Sequence, residues 1–152
     1  MASHKKHVND VTIRKMAFQD YNAVIRLWRE GNIPYRPQGR DSRKNIKSQL
    51  QQPTSLYFIA ERKNTIVGVI FGTHDGRKGW INRLVVTPAY RKKGIATQLV
   101  HEVEHHLKKL GIDIIASLIE DWNEISMQVF KNLGYTKHTD IIYYSKRKSE
   151  KT

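Results

Sequence analysis

The most regular alternation of hydrophobic and polar positions in this sequence lies between residues 96 and 110. At about 100° per residue, the apolar side chains of this stretch fall within roughly 80° of one another around a helix axis. They are Ala96, Leu99, Val100, Val103, Leu107 and Leu110. Gly111 follows directly, and glycine suits the end of a helix. The pattern predicts an amphipathic helix over 96–110.

Three shorter helices are indicated by the same spacing and by the residues that flank them. Residues 20–30 place four apolar side chains on one helix face before Gly31. Asp41 or Ser42 can cap a second helix that ends before Pro53. A third helix is predicted over 124–132 and stops at Gly134.

Runs rich in β-branched and aromatic residues predict the strands. Residues 56–61 and 65–73 form a hairpin, 80–86 extends it into an antiparallel meander, and 11–14 supplies a first strand. Residues 112–119 contain almost no polar side chain, as expected for a central strand covered on both sides. Residues 135–146 supply one or two final strands. The prediction is an α/β protein of the α+β type, with a mixed, mostly antiparallel sheet of six to seven strands flanked by about four helices.

Composition narrows the class of protein. The chain has 152 residues, 27 Lys plus Arg against 14 Asp plus Glu, a formal net charge of +13 and no cysteine. The lack of cysteine excludes a disulfide scaffold, a thiol nucleophile and a thiolate zinc site. No apolar run approaches the ~20 residues of a membrane span, and the polar N-terminus has no signal-peptide core. We expect one cytoplasmic domain over 9–146, away from membranes, with mobile polar ends at 1–8 and 147–152.

The positive charge is uneven along the chain. Six basic residues lie between positions 29 and 47, and Arg91, Lys92 and Lys93 form a compact cluster. Such clusters suit a nucleic acid, a membrane surface or an anionic small ligand, and they are equally compatible with a solvated surface. The chemistry around each cluster therefore has to distinguish these alternatives.

The junction between the strand at 80–86 and the helix at 96–110 has the features of a phosphate site. A helix N-terminus presents unpaired N–H groups and a partial positive charge of about half a unit. Gly94 and Ala96 allow an oxygen atom to approach the backbone, and the cluster at 91–93 adds charge. The junction predicts binding of an anion with several negative charges, such as a pyrophosphate.

Two motifs in this region carry a resemblance to a known family. Arg91-x-x-Gly94-x-Ala96 resembles the acetyl-coenzyme-A signature R/Q-x-x-G-x-G/A of the GNAT superfamily of N-acetyltransferases. The stretch from Asn123 to Tyr135 resembles the second signature of that family, N-x-x-A-x-x-x-Y-x-x-x-G-F, at the expected place after the next strand. The order of predicted elements agrees from residue 11 to about 146. The sequence is thus identified as a member of this superfamily.

The resemblance implies which residues hold acetyl-coenzyme A, the expected cosubstrate. Strand residues would contact the pantetheine arm, the loop and first helical turn would hold the pyrophosphate, and Asn123 would contact the pantetheine while also capping its own helix. The implied cofactor-binding set is Leu84, Val85, Val86, Arg91, Lys92, Lys93, Gly94, Ile95, Ala96, Thr97, Asn123 and Phe130. No metal is expected.

The expected proton-transfer groups are missing from this sequence. Phe130 stands where many relatives carry a tyrosine that protonates the leaving thiolate, and a phenyl ring has no proton to donate. Arg83 and Leu118 stand near positions where some relatives have a glutamate base. Glu120 is the candidate base, acting through water, although a simple turn before Asn123 also explains it. Positioning of the amine against the thioester is the alternative source of catalysis.

The irregular stretch 32–42 corresponds to the segment that shapes the acceptor pocket in similar folds. Tyr35, Arg40 and Asp41 are the acceptor candidates, although Asp41 also fits a turn or a helix cap. The basic residues nearby should repel polycations and attract anions. The expected acceptor is an α-amine with acidic neighbours, such as a protein N-terminus or an amino-acid-like metabolite. The chain is expected to be a monomer or a homodimer.

Three other interpretations fit parts of the sequence. A coenzyme-A-binding regulatory module without catalysis is favoured by Phe130, and nucleic-acid binding is favoured by the charge but lacks a recognised motif. His101-Glu102-Val103-Glu104-His105 matches the zinc-peptidase pattern H-E-x-x-H. The helix phase places both histidines about 150° to 170° from the apolar centre, on the solvent side, so zinc is not expected.

Overall fold

The computed structural model describes residues 10–152, so the predicted mobility of residues 1–8 lies outside it. The strands are β1 (Thr12–Lys15), β2 (Ser55–Arg62), β3 (Thr65–His74), β4 (Gly79–Val86) and β5 (Ile115–Ser117). The helices are α1 (Tyr21–Glu30), α2 (Arg43–Leu50), α3 (Ile95–Lys109) and α4 (Glu124–Asn132). Short 3-10 turns precede α1 (Phe18–Asp20) and follow β4 (Pro88–Tyr90).

The strands form one sheet in the order β1-β2-β3-β4-β5. The first three pairs are antiparallel, whereas β4 and β5 are parallel. A parallel pair needs a crossover connection, which α3 supplies. The predicted α+β architecture with a mixed, mostly antiparallel sheet and four helices is confirmed, with five strands in the described part of the chain where six to seven were expected.

Each side of the sheet has its own hydrophobic core. On one side, α3 buries Leu99, Val103 and Leu107 completely against β2, β3 and β4. The helix lies so close that a Cβ on Gly72 of β3 would be 2.6 Å from Val103 Cγ1. On the other side, α1 buries Leu27 and Trp28. The helical spacing in the sequence therefore predicted the buried faces of both helices, except at Leu110, which follows the end of α3 and is 57% exposed.

Two predicted strands differ from the structure. The apolar run 112–119 was expected to be a central strand, but only Ile115–Ser117 is extended, and β4 is its sole partner among residues 10–152. Residues 135–146 were expected to form one or two strands and contain none. A strand inside a sheet needs a neighbour on each edge, and within residues 10–152 β5 has a neighbour on one edge only.

The ends of α1 and α2 show which polar residues act as caps. Ser42, not Asp41, caps α2, since its Oγ accepts a hydrogen bond from the Asn45 N–H at 3.2 Å. Asp20 precedes α1, but its carboxylate accepts hydrogen bonds from Arg14 and from the Ala17 N–H instead.

None of the helices in residues 10–152 is both long and apolar enough to cross a membrane.

Candidate active site

A cavity of about 950 Å³ opens between the C-terminal half of β4, the start of α3 and the start of α4. Its wall includes most of the residues that the sequence assigned to acetyl-coenzyme A: Leu84, Val85, Val86, Arg91, Lys92, Gly94, Ile95, Ala96, Thr97 and Asn123. Further wall residues include Glu30 at the end of α1, Ile33 after that helix, Trp122 before α4 and Ile125 in its first turn. The fold thus brings together elements that lie far apart in the sequence.

The loop before α3 is shaped to receive an anion. Lys92 and Gly94 both have left-handed backbone conformations, with φ values of 59° and 82°. Gly94 is the N-cap of α3 and has no side chain to accept from the first-turn N–H groups, which remain available for a ligand. Nothing lies within 4 Å of the position of a Cβ on Gly94. The space beside this glycine is therefore open for a phosphate oxygen.

The three residues of the basic cluster at 91–93 have different surroundings. Arg91 lines the cavity, and its Nε donates a hydrogen bond to the Val86 carbonyl at 3.0 Å, which ties the loop to the end of β4. Lys92 also lines the cavity. Lys93 does not, and its Nζ lies 5.3 Å from the centre of the Tyr90 ring. The predicted contact of Lys93 therefore has no support in the cavity geometry.

The opposite wall begins at Asn123. Its Oδ1 accepts a hydrogen bond from the Ser126 N–H at 3.1 Å, so the predicted N-cap of α4 is present, and the residue also lines the cavity. The side-chain amide nitrogen is left as a donor for a ligand. Trp122 and Ile125 on either side are about half exposed. They add apolar surface to the mouth of the cavity.

Phe130 is not part of the cavity wall. The ring is buried in the core between α4 and α3 and packs edge-on against Tyr135, with ring centres 4.9 Å apart. Phe130 therefore does not line the cavity that holds most of the other predicted coenzyme contacts. Tyr135 in turn donates a hydrogen bond to Glu104 at 3.1 Å, and burial together with this carboxylate raises the pKa of its hydroxyl.

A β-bulge in β4 decides where Arg83 points. The register with β3 passes from Val69–Val85 to Phe71–Asn82, so β4 has one extra residue at this place, and Arg83 has a φ of 55°. Strict alternation from the buried Ile81 would place Arg83 on the α3 side of the sheet. The bulge reverses this, and the guanidinium packs over the Trp28 ring of α1 at 4.6 Å.

Asp41 holds the loop between α1 and α2 to this bulge. Its Oδ2 accepts hydrogen bonds from Arg83 Nη2 at 2.9 Å and from the Arg36 N–H at 2.7 Å, and its carbonyl accepts one from the Tyr21 hydroxyl at 2.6 Å. Only 4% of Asp41 is exposed. Burial lowers the pKa of Arg83, and the carboxylate opposes this change. Because the carboxylate is enclosed and paired, Asp41 holds the loop in place and is not open to an acceptor.

The other two acceptor candidates lie on the same loop and outside the cavity wall. The Tyr35 hydroxyl accepts a hydrogen bond from Arg29 Nε at 2.8 Å, and its ring packs near Trp28. The Arg40 side chain is half exposed, with its Nε 4.0 Å from Asp41. Two guanidinium nitrogens around Asp41, Arg83 Nη1 and Arg36 Nε, are buried without a hydrogen-bond partner. The loop itself carries Arg36 and Arg40 against the single carboxylate of Asp41, so it has a positive charge.

The carboxylates on the cavity wall are Glu30 and Glu124. Glu30 accepts a hydrogen bond from the Thr87 hydroxyl at 2.7 Å, which joins the end of α1 to the end of β4. Glu120, the predicted base, is exposed and does not line the cavity, and Leu118 is also exposed. The sequence offered no signal for Glu30, because only packing of α1 on the sheet brings it next to Thr87.

The H-E-x-x-H pattern on α3 has no metal-binding geometry. His101 and His105 are both exposed, as the helix phase predicted. Residues 10–152 contain no cluster of three or more histidine, aspartate or glutamate side chains that could hold a metal ion.

Solved structures of N-acetyltransferases have the same fold. The PaiA N-acetyltransferase from Thermoplasma acidophilum, in complex with coenzyme A, has a TM-score of 0.72 and 21% identity, covering 81% of this chain and 87% of that chain. AAC(6')-Iy, in complex with the bisubstrate analogue CoA-S-monomethyl-acetylneamine, has a TM-score of 0.74 and 23% identity, covering 90% and 98%. The ribosomal-protein-S18-alanine N-acetyltransferase from Escherichia coli has a TM-score of 0.70 and 18% identity, covering 85% and 79%.

At these identities the likeness concerns the fold, which is that of an N-acetyltransferase. The family model described as the acetyltransferase (GNAT) family matches residues 21–135. The chain therefore belongs to the acetyltransferase (GNAT) family, and the resemblance seen in the sequence motifs is confirmed. The protein is an acyltransferase that uses acetyl-coenzyme A as cosubstrate.

Proposed function

We propose that this enzyme transfers the acetyl group of acetyl-coenzyme A to the α-amine of an acceptor with acidic neighbours, either a protein N-terminus or an amino-acid-like metabolite. The observation that carries the proposal is the cationic loop between α1 and α2, which Asp41 and Arg83 hold against β4 next to the cavity. The coenzyme then lies on one side of β4 and the acceptor approaches from the other.

The residues that line the cavity support the following arrangement for the coenzyme. The N–H groups of Ile95, Ala96 and Thr97, with Arg91 and Lys92, bind the pyrophosphate. The backbone of Leu84, Val85 and Val86 binds the pantetheine arm, and the Asn123 amide lies on the opposite wall. These contacts place the thioester near the bulge at Arg83, where the acceptor loop is attached.

The acceptor amine must be uncharged, and its nitrogen must lie close to the thioester carbonyl. The amine nitrogen attacks the thioester carbonyl, the C–N bond forms, the C–S bond breaks and coenzyme A leaves as a thiolate that takes up a proton. Correct positioning can supply several kcal/mol of the required rate enhancement. We assign the removal of the amine proton to Glu30 acting through water, in preference to Glu120, because Glu30 lines the cavity and Glu120 does not.

Charge and pKa together favour the α-amine. An α-amino group has a pKa near ~8 and a lysine side chain near ~10.4, so neutralising the lysine costs about 3 kcal/mol more. Because Glu30 acts through water and not directly on the amine, the enzyme favours the amine that costs less to neutralise. The basic residues of the acceptor loop, Arg36 and Arg40, and those at the start of α2, Arg43 and Lys44, favour acidic acceptors and repel polycations.

A competition assay tests the acceptor proposal. Four peptides of equal length are offered with acetyl-coenzyme A at low salt: acidic or lysine-rich, each with a free or a blocked N-terminus. An aminoglycoside forms a fifth arm, since AAC(6')-Iy shares the fold. We expect the acidic peptide with a free N-terminus to be acetylated fastest. Faster acetylation of the blocked lysine-rich peptide or of the aminoglycoside would contradict the proposal. Coenzyme A binding without turnover of any amine would favour a regulatory module.

A further inference from the structure

The acceptor loop and α2 together form a surface that is rich in positive charge. Residues 31–50 contain five basic side chains and one acidic residue, Asp41, of which only 4% is exposed. Four of the basic residues are exposed, and we call them the cationic strip: Arg40, Arg43, Lys44 and Lys47. In this part of the chain the cations therefore face solvent while the one carboxylate is enclosed.

The protein itself does not neutralise the cationic strip. Its three members on α2 form no ion pair with a carboxylate of residues 10–152. Arg40 lies 4.0 Å from Asp41, but the same carboxylate oxygen pairs with Arg83 at 2.9 Å. Partly exposed arginines elsewhere, such as Arg14 and Arg62, have carboxylate partners. The strip is thus a surface whose charge is left for another molecule to balance.

The charges on α2 also oppose the helix that carries them. Arg43 and Lys44 occupy its first turn, where the partial positive charge of a helix end disfavours cations, and that turn has no acidic residue. Arg43 and Lys47 are four residues apart, a spacing at which like charges repel each other on a helix. Local features that reduce stability in this way are typical of functional surfaces.

A continuous series of contacts leads from the bulge of β4, through Asp41, to the cationic strip. The Asp41 carboxylate is hydrogen-bonded to the bulge, and its carbonyl accepts a hydrogen bond from the Tyr21 hydroxyl. The Arg43 guanidinium lies over the Tyr21 ring, 4.8 Å from the ring centre. Lys47 Nζ lies 5.4 Å from the centre of the Phe18 ring, which Arg43 also approaches. The strip therefore starts where the acceptor loop joins β4 and continues along α2.

The extent of the strip favours a polypeptide over a small metabolite. At 1.5 Å per residue, the positions of Arg43 and Lys47 are about 6 Å apart along the helix axis. An extended polypeptide advances about 3.3 Å per residue, so its successive acidic side chains can contact successive members of the strip. A single-stranded nucleic acid fits less well, because it stacks bases on exposed rings, and cations cover the rings of Phe18 and Tyr21.

On the basis of the proposed function, we propose that the acceptor is a polypeptide whose N-terminal amine reacts beside the bulge of β4 while acidic side chains further along the same polypeptide bind the cationic strip. The strip contacts the acceptor away from the reacting atoms. It therefore lowers the KM of the acceptor and leaves kcat unchanged, because it binds the ground state and the transition state equally.

Three acceptors with the same two N-terminal residues test this inference: a dipeptide, a ten-residue peptide with six acidic residues after the first two, and a ten-residue peptide with neutral residues there. Steady-state kinetics at low salt should give the acid-tailed peptide a KM at least fivefold below those of the other two, with similar kcat values. The difference should disappear at 0.5 M salt. Equal KM values at low salt would overturn the inference alone, whereas acetylation of none of the three N-termini would refute the proposed function as well.

Charge reversal on α2 tests whether the strip is the surface that binds the acidic tail. Lys44→Glu combined with Lys47→Glu replaces two of its cations, and glutamate suits the first turns of a helix, so we expect α2 to persist in circular dichroism. The KM of the acid-tailed peptide should rise at least tenfold, and a lysine-tailed peptide with the same N-terminus should become the better acceptor.

A matched variant separates the strip from the net charge of the protein. Lys108→Glu combined with Lys109→Glu changes the net charge equally, at exposed positions near the end of α3. We expect this variant to keep the wild-type preference for the acid-tailed peptide. The same loss of preference in both double variants would mean that net charge alone selects the acceptor, and the docking strip would then be wrong.

Discussion

Arg83 of β4 and Asp41 of the loop before α2 form an enclosed ion pair, with Nη2 and Oδ2 2.9 Å apart and the side chains 12% and 6% exposed. The pair joins the bulged strand that borders the coenzyme cavity to the loop proposed to meet the acceptor. Trp28 covers the guanidinium on the side of α1. The pair therefore joins the strand that lines the cavity to the loop that we propose as the acceptor side.

Removing the carboxylate of this pair should loosen the acceptor side. Asp41→Asn leaves the buried Arg83 charge without a counter-charge, and the free energy of unfolding should fall by about 3 kcal/mol. The KM of the amine should rise more than the KM of acetyl-coenzyme A, as steady-state kinetics can determine. The double variant Asp41→Asn with Arg83→Met is the control, because it removes both charges. Its loss of stability should be smaller than the sum of the two single losses.

Gly94 should be required for coenzyme binding and not merely for folding. Gly94→Ala places a Cβ in the open space beside the first turn of α3 and strains a φ of 82°, at a cost of about 1 to 2 kcal/mol. Gly76 is a matched control, since its φ is 84° and it also has nothing within 4 Å of a Cβ, but it lies in the turn before β4.

The two alanine variants should therefore lose similar stability. Isothermal titration calorimetry should show weaker acetyl-coenzyme A binding for Gly94→Ala only. Equal affinities in the two variants would refute the assignment of the phosphate loop.

The two candidate bases can be compared directly. Glu30→Gln should lower kcat about 100-fold near pH 7 and flatten the acidic limb of the rate profile, because the amide can no longer accept the amine proton. Glu120→Gln, an exposed residue away from the cavity wall, should change kcat less than about twofold. The measurement is kcat against pH for both variants. A larger loss of kcat in Glu120→Gln than in Glu30→Gln would instead favour Glu120 as the base.

Asp20 should make the fold sensitive to acid. Its burial opposes the charged form, but hydrogen bonds from Arg14 and from the Ala17 N–H outweigh this and lower the pKa of the carboxyl below its ordinary value. The stabilisation is therefore complete above the unfolded pKa of ~3.9 and is lost as pH falls through the lower folded value.

Replacing this carboxylate tests the direction of that shift. Asp20→Asn should lower the free energy of unfolding by about 2 kcal/mol at pH 7. The difference from wild type should shrink as the pH falls below about 4. Urea unfolding at several pH values measures it. A difference that stays constant between pH 7 and 3 would contradict the lowered pKa.

The sequence by itself determined most of the fold, and it predicted residues for the coenzyme side of the site, most of which line one cavity. Helical spacing identified the buried residues of α3, such as Leu99 and Leu107, because local periodicity fixes which face of a helix is apolar. The junction around Gly94 was recognisable because a helix N-terminus binds phosphate through its own backbone, and the residues involved are contiguous.

Only the tertiary structure decided the remainder, because those features depend on contacts between distant residues. A single bulge in β4 turns Arg83 toward Asp41, and strand alternation cannot reveal it. Glu30 contacts Thr87 only when α1 packs on the sheet. Phe130 lies in the core, where its ring packs against Tyr135. The strands expected at 112–119 and 135–146 have the right composition, but composition does not specify which edge a strand pairs with. Strand pairing depends on the path of the whole chain and on which strands that path brings side by side.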